Sequence, residues 1–262
     1  MRKHGLIAAL FRSFASNNKR RDQLRSSGIL KERVFGCDLC EHLANSGHDL
    51  PLVLTACCAY IEAHGLSSNG IYRLSGVAST IHRLRAIFDE DRVPEELHQK
   101  EENLVTSTDS TGDIVDSAGV DIHAVSSLLK LFFRELPNPL LTFSLYDDFV
   151  AAMRDETMDD STRLQSIRTL VISLPPPHWR TLRFLTRHLS YVSKFESKTG
   201  MTPKNLAIVW APNLLRSRDL DQHVGIEALH VIGTQAVLTE FLILNCDKIC
   251  KYKWIYNCPY CY

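Results

Sequence analysis

Arg73 stands between two glycines in the heptad Gly70-Ile-Tyr-Arg-Leu-Ser-Gly76. Glycine lets a backbone approach another surface closely, and a guanidinium presents its charge in a planar fork that suits phosphoryl oxygens. An arginine offered in trans to a partner's phosphate is one reading, and a surface arginine beside a tight turn is the other. Lys130 and Arg134 lie four apart in Leu128-Leu-Lys-Leu-Phe-Phe-Arg-Glu-Leu136. At helical period they share a side roughly opposite Val125, Leu128, Leu129, Phe132, Phe133 and Leu136. That pattern reads as an amphipathic helix with a solvated basic edge. Asn213 follows Pro212 in Asn205-Leu-Ala-Ile-Val-Trp-Ala-Pro-Asn213. It can cap a helix end or hold a partner's backbone through donor and acceptor together.

Other chemistries find little support. The chain has no Walker A loop, no dinucleotide or kinase-type glycine loop, no HExxH pair and no GxSxG elbow. It is not recognisably self-sufficient as an enzyme. The eight cysteines include Cys246, Cys250, Cys258 and Cys261, a spacing that four-thiolate zinc sites use. Cys246 and Cys250, however, fall on the last predicted helix, and residues 252–262 carry no fold signal. Reduced thiols and no metal are therefore expected, with Cys57 and Cys58 as small apolar members of a helix.

These side chains need a scaffold, and its period is helical throughout. Asp38 caps a first helix that Gly47 stops, and Pro51 opens a second that ends at Gly65. Ser79 is expected to cap the third. Asp121 caps an apolar helix through Leu136, ended by Pro137 and Pro139. Ser144 and Asp147 suggest a capping-box start for Leu145–Met153, and Asp160 opens Ser161–Leu174, stopped by three prolines. A long helix is expected over His178–Lys198, closed by Gly200. Thr202-Pro203 opens a helix that Pro212 ends, and a last one covers Gly225–Ile249. The expectation is an all-α fold of about eight or nine helices around a bundle core, with strand alternation absent.

Charge divides the chain further. Thirty Lys and Arg balance thirty Asp and Glu over 262 residues, yet residues 1–34 hold nine basic against two acidic residues. That leader, with Leu6, Ile7, Leu10, Phe11 and Phe14 at helical spacing, suits an interfacial segment drawn to anionic lipid. A disordered linker and a mitochondrial transit peptide are its alternatives. It lacks a nucleic-acid-binding motif, and no nucleic acid is expected as a partner. Residues 89–120 are polar and acidic and read as a long solvated loop, and residues 251–262 form a tail. The domain proper is thus expected over 35–250, in the cytoplasm, at the inner face of the plasma membrane if the leader binds lipid.

Taken together and in order, IYRLSG, LLKLFFRELPNPLL and NLAIVWAPNLL resemble the RhoGAP domain family. LPLVLTACCAYIEAHG and LPPPHWRTLRFLTRHL add secondary matches, and the likeness covers about Phe35–Ile249. The opening Val-Phe-Gly-Cys-Asp-Leu and the Trp-Ala-Pro-Asn-Leu-Leu-Arg stretch look most like the Cdc-type GTPase-activating and PX-SH3 branch. The acidic loop and the Cys258-Pro-Tyr-Cys261 tail have no counterpart in the pattern. The resemblance implies a GTPase activator for a GTP-bound Rho-family partner, with Rac or Cdc types favoured, and Arg73 as its arginine finger. It implies that Lys130 and Arg134 support the finger loop and line the groove, and that Asn213 contacts the GTPase switch region. No cofactor of its own is implied, since GTP and Mg²⁺ belong to the partner. A catalytically silent GTPase-binding adaptor of the same fold is the competing expectation.

Overall fold

The computed structural model describes residues 34–98, 120–217 and 226–249, the last from residue 230 onward for side chains. The basic leader, most of the acidic loop and the terminal tail, with Cys250, Cys258 and Cys261, lie outside the described residues. Among those described there are eleven helices and no strands. Nine have eight or more residues: α1 (Leu39–Ser46), α2 (Leu52–His64), α3 (Ala78–Phe88), α4 (Ile122–Glu135), α5 (Tyr146–Arg154), α6 (Asp160–Ile172), α7 (Pro176–Ser193), α9 (Pro203–Leu214) and α10 (Ile226–Leu244). Two are single turns, α8 (Glu196–Thr199) and α11 (Cys246–Ile249). No helix among the described residues is long and apolar enough to cross a membrane.

Helix α4 is the centre of one half, packed by α2, α3 and α9, while α7 collects α1, α2, α9, α10 and α11. Their shared core holds Phe35, Tyr72, Phe88, Phe132, Phe133, Phe149 and Trp210, all fully buried. Phe133 and Tyr72 each meet the Trp210 ring edge-on, at 5.7 Å and 5.1 Å between centroids. Cys57 and Cys58 are buried free thiols inside α2, and burial pushes both upward in pKa. That keeps them protonated and unreactive.

Several ends fall where the sequence reading places them. Asp38 and Asp121 cap α1 and α4, Thr202 caps α9, and Gly47 and Gly65 close α1 and α2. Others differ for identifiable reasons. Val77, not Ser79, precedes α3 with no side-chain cap, and its N–H donates to Asp121 Oδ2 at 3.4 Å. Leu145 precedes α5 with no side-chain cap, since the Ser144 hydroxyl is engaged with Thr142 at 3.1 Å. Asp159, not Asp160, caps α6, accepting from the Thr162 N–H at 2.7 Å. Pro176 and Pro177 do not merely stop the preceding helix. They occupy the first turn of α7, where their missing N–H groups are not needed. The expected 178–198 helix is broken after Ser193, and its final turn becomes α8, whose buried Thr199 reaches the Arg73 loop. Pro212 does not end α9, which continues to Leu214. The carbonyl that Pro212 leaves without a helical donor belongs to Ile208, 55 % exposed at the surface. Likewise α10 stops at Leu244, and α11 restarts after Asn245. The acidic loop is not solvated from its start: residues 95–97 form a 3₁₀ turn that buries Leu97 against α2.

Candidate functional site

The loop between α2 and α3 is built from its backbone. Gly70 adopts φ 73°, a conformation open to glycine without steric cost, and its N–H donates to the Thr199 carbonyl at 2.7 Å. Its own carbonyl accepts from the Arg73 and Leu74 N–H groups at 2.8 and 2.9 Å. Tyr72 lies between them at φ 68°, a left-handed conformation that costs a non-glycine residue roughly 1–2 kcal/mol. Tyr72 is wholly buried while Arg73 is exposed. The loop thus sends one side chain into the core and the next outward. Arg73 Nη2 lies 3.5 Å from Asn69 Oδ1, its nearest tether. At the far end Gly76 rests on the first turn of α4, where a Cβ would come within 2.1 Å of the Ala124 nitrogen. Its N–H donates to Ser127 Oγ at 3.2 Å.

The basic pair of α4 is not a solvated edge. Because three helices surround α4, its polar side is enclosed too, and Lys130 is only 9 % exposed. The Lys130 ammonium donates to the Tyr72 carbonyl, holding the peptide just before Arg73. Burial, with the Arg134 charge as a smaller cause, lowers the Lys130 pKa to about 8. Arg134 is also pushed down by burial, an effect that neighbouring Glu135 opposes. Its Nε donates to Asn213 Oδ1 at 3.2 Å.

Asn213 is buried in the last turn of α9, 1 % exposed. Its amide nitrogen donates to the Val209 carbonyl at 2.9 Å, so both ends of the amide have partners within the chain. In this arrangement it orients Arg134. The structure therefore joins Arg73, Lys130, Arg134 and Asn213 in one connected set, from the exposed guanidinium through the Tyr72 peptide and α4 to α9.

Four contributors were not assigned a role from the sequence. Arg216 donates to the carbonyls of Arg134 and Leu136, closing the C-terminal end of α4. Burial, then the Arg134 charge, lowers its pKa to about 10. Its position three residues after Asn213 was the available hint. Tyr72, His188 and Glu62 form a hydrogen-bonded chain whose members lie up to 126 residues apart, and nothing local marks such a pairing.

A RhoGAP domain model matches residues 51–219. The chain is 51 % identical over 253 residues to GTPase-activating protein CdGAPr of Drosophila melanogaster, covering 95 % of this chain and 12 % of that protein. It is 47 % identical over 254 residues to Rho GTPase-activating protein 32 of Xenopus laevis, with coverage of 96 % and 12 %. It therefore spans about an eighth of the length of these two relatives. Among solved structures, human Rho GTPase activating protein 15 superposes with a TM-score of 0.69 at 32 % identity, over 86 % of this chain and 96 % of that one. The BH domain from GRAF gives 0.59 at 28 % identity, over 76 % and 93 %. By motif, fold and match, the chain belongs to the RhoGAP domain family.

Proposed function

We propose that this domain stimulates GTP hydrolysis by a GTP-bound Rho-family GTPase, with Arg73 inserted in trans as the catalytic arginine. The observation that carries this reading is the contrast at residues 72 and 73: an exposed guanidinium on a backbone anchored by a buried lysine and a buried tyrosine. A GTPase holds GTP and Mg²⁺ itself and lacks full compensation for the charge that develops on the transferred phosphoryl group. A guanidinium supplied from outside provides it, an effect worth about 10⁵ in rate in the Ras case, roughly 7 kcal/mol. Preorganisation matters because a donor already in place need not reorganise as charge develops. Lys130 fixes the loop's peptide, while Arg134, Asn213 and Arg216 hold the α4–α9 floor beneath it. Preference for a Rac- or Cdc-type partner rests on the likeness to that branch of the family. Membrane contact through residues 1–34 rests on their sequence, and vesicle co-sedimentation with and without them tests it.

The function test is phosphate release from GTP-loaded Rac, Rho and Cdc-type GTPases, each alone and with catalytic amounts of the chain. Stimulation of at least one is expected, and its identity names the substrate. Binding of the GTP form with no stimulation of any would favour the silent adaptor instead.

A further inference from the structure

Tyr72 holds an unfavourable backbone conformation next to the residue that must reach outward, and strain of this kind persists only where surroundings over-determine it. Three contacts do so here. Lys130 takes the Tyr72 carbonyl, Trp210 packs against the ring, and His188 Nε2 lies 2.5 Å from the phenol oxygen. His188 is itself 3 % exposed, and its Nδ1 lies 2.6 Å from Glu62 Oε1. A carboxylate only accepts, so Nδ1 carries its hydrogen toward Glu62, and in that neutral tautomer Nε2 accepts the Tyr72 O–H. Burial raises the Tyr72 pKa, which keeps that donor proton in place. Glu62 sits at the surface of α2, with its side chain 40 % exposed.

We propose that Glu62, His188 and Tyr72 form a positioning relay, in which Glu62 sets the His188 tautomer, His188 fixes the Tyr72 phenol, and Tyr72 thereby aims Arg73. The relay connects α2, α7 and the loop, so the outward direction of Arg73 depends on a surface carboxylate reached through His188, 116 residues from Tyr72 in the chain. It rests on the reading of Arg73 as the group inserted into a GTPase. None of the three residues touches the reacting phosphate; they act through Arg73.

The test compares the full chain with Tyr72→Phe, Glu62→Ala, Glu62→Gln and the double variant Tyr72→Phe/Glu62→Ala. Single-turnover GTP hydrolysis by the responsive GTPase is measured as a function of domain concentration. Tyr72→Phe keeps the ring in its core site and is expected to lower the saturating rate about tenfold, the scale of one hydrogen bond, with half-saturation unchanged. Glu62→Ala should match it, Glu62→Gln should recover most of the rate through its amide oxygen, and the double variant should be no worse than either single. Amide hydrogen exchange at residues 70–74, where the Arg73 and Leu74 N–H groups are hydrogen-bonded, should accelerate in Tyr72→Phe and Glu62→Ala. A full saturating rate in Tyr72→Phe, or a loss expressed entirely as weaker half-saturation, overturns the relay. If the unmodified chain accelerates no GTPase, the functional reading fails, and the exchange data alone judge the relay: unchanged exchange in both variants overturns it.

Discussion

Arg73 is useful only if its neighbours spare it from searching for its orientation, and the neighbour that does so most directly is Lys130. Its ammonium serves a backbone carbonyl inside the protein, and desolvation makes that charge expensive. The folded pKa of about 8 lies below the ordinary 10.5, so between these values the unfolded chain holds a proton that the folded chain has lost. Stability contributed by this site is therefore lowest below pH 8 and rises as pH climbs toward 10.5. Urea unfolding at pH 7.5 and pH 10 should show the wild type gaining about 1–3 kcal/mol relative to Lys130→Met. Parallel behaviour of the two proteins would contradict the buried-charge assignment. Asn213→Ala removes the acceptor of Arg134 Nε and should cost about 1–3 kcal/mol of stability while weakening GTPase binding. Thermal unfolding and a binding titration check the two effects separately. At this scale Arg73, Lys130, Arg134 and Asn213 could be singled out from the sequence because their local wording is distinctive, and the structure joins them in one connected set. Their partners could not be: a helix period places Lys130 opposite the apolar face, and only the long-range arrival of the Tyr72 loop gives that ammonium its partner.

Elements fix how closely the loop can approach α4, and Gly76 is the tightest point. A methyl group there would overlap Ala124 backbone atoms at 2.1 and 2.3 Å, which cannot rotate away. Gly76→Ala should destabilise the domain by about 1–3 kcal/mol and lower GTPase stimulation together. Gly47→Ala is a useful contrast, since a Cβ there meets nothing within 4 Å and only the φ of 71° opposes it. Chemical unfolding of the two variants should rank Gly76→Ala as the more damaging, and the reverse order would argue against the close packing. Caps such as Asp38, Asp121 and Thr202 could be read in advance because each satisfies its own helix locally. The break after Ser193 and the passage of α9 through Pro212 could not. Both follow from what lies alongside, the Gly70 N–H awaiting Thr199 and the open surface at Ile208.

Across the whole molecule, the packed core extends beyond the segment that matches the family model. The match ends at residue 219, whereas α10 packs more extensively against α9 than any other pair of helices does. Val231, Leu238, Leu242, Ile243 and Ile249 are all buried. At about 1.5–3 kcal/mol for each, their burial rivals the ~5–15 kcal/mol stability of an ordinary domain. A chain ending at residue 217 should therefore lose its cooperative thermal transition, and an intact transition by calorimetry would contradict that dependence. The all-helical architecture was readable from periodicity and wording. The packing of α10 on α9 was not, because an evenly apolar helix does not reveal which neighbour it covers.

In the proposed function, one exposed arginine, Arg73, completes a GTPase's active site. Single-turnover GTP hydrolysis at saturating domain, with Arg73→Ala beside the wild type and with binding measured in parallel, tests it most directly. Stimulation should fall to near the GTPase's intrinsic rate in Arg73→Ala while affinity for the GTP form changes little. Full stimulation by Arg73→Ala would contradict the assignment outright.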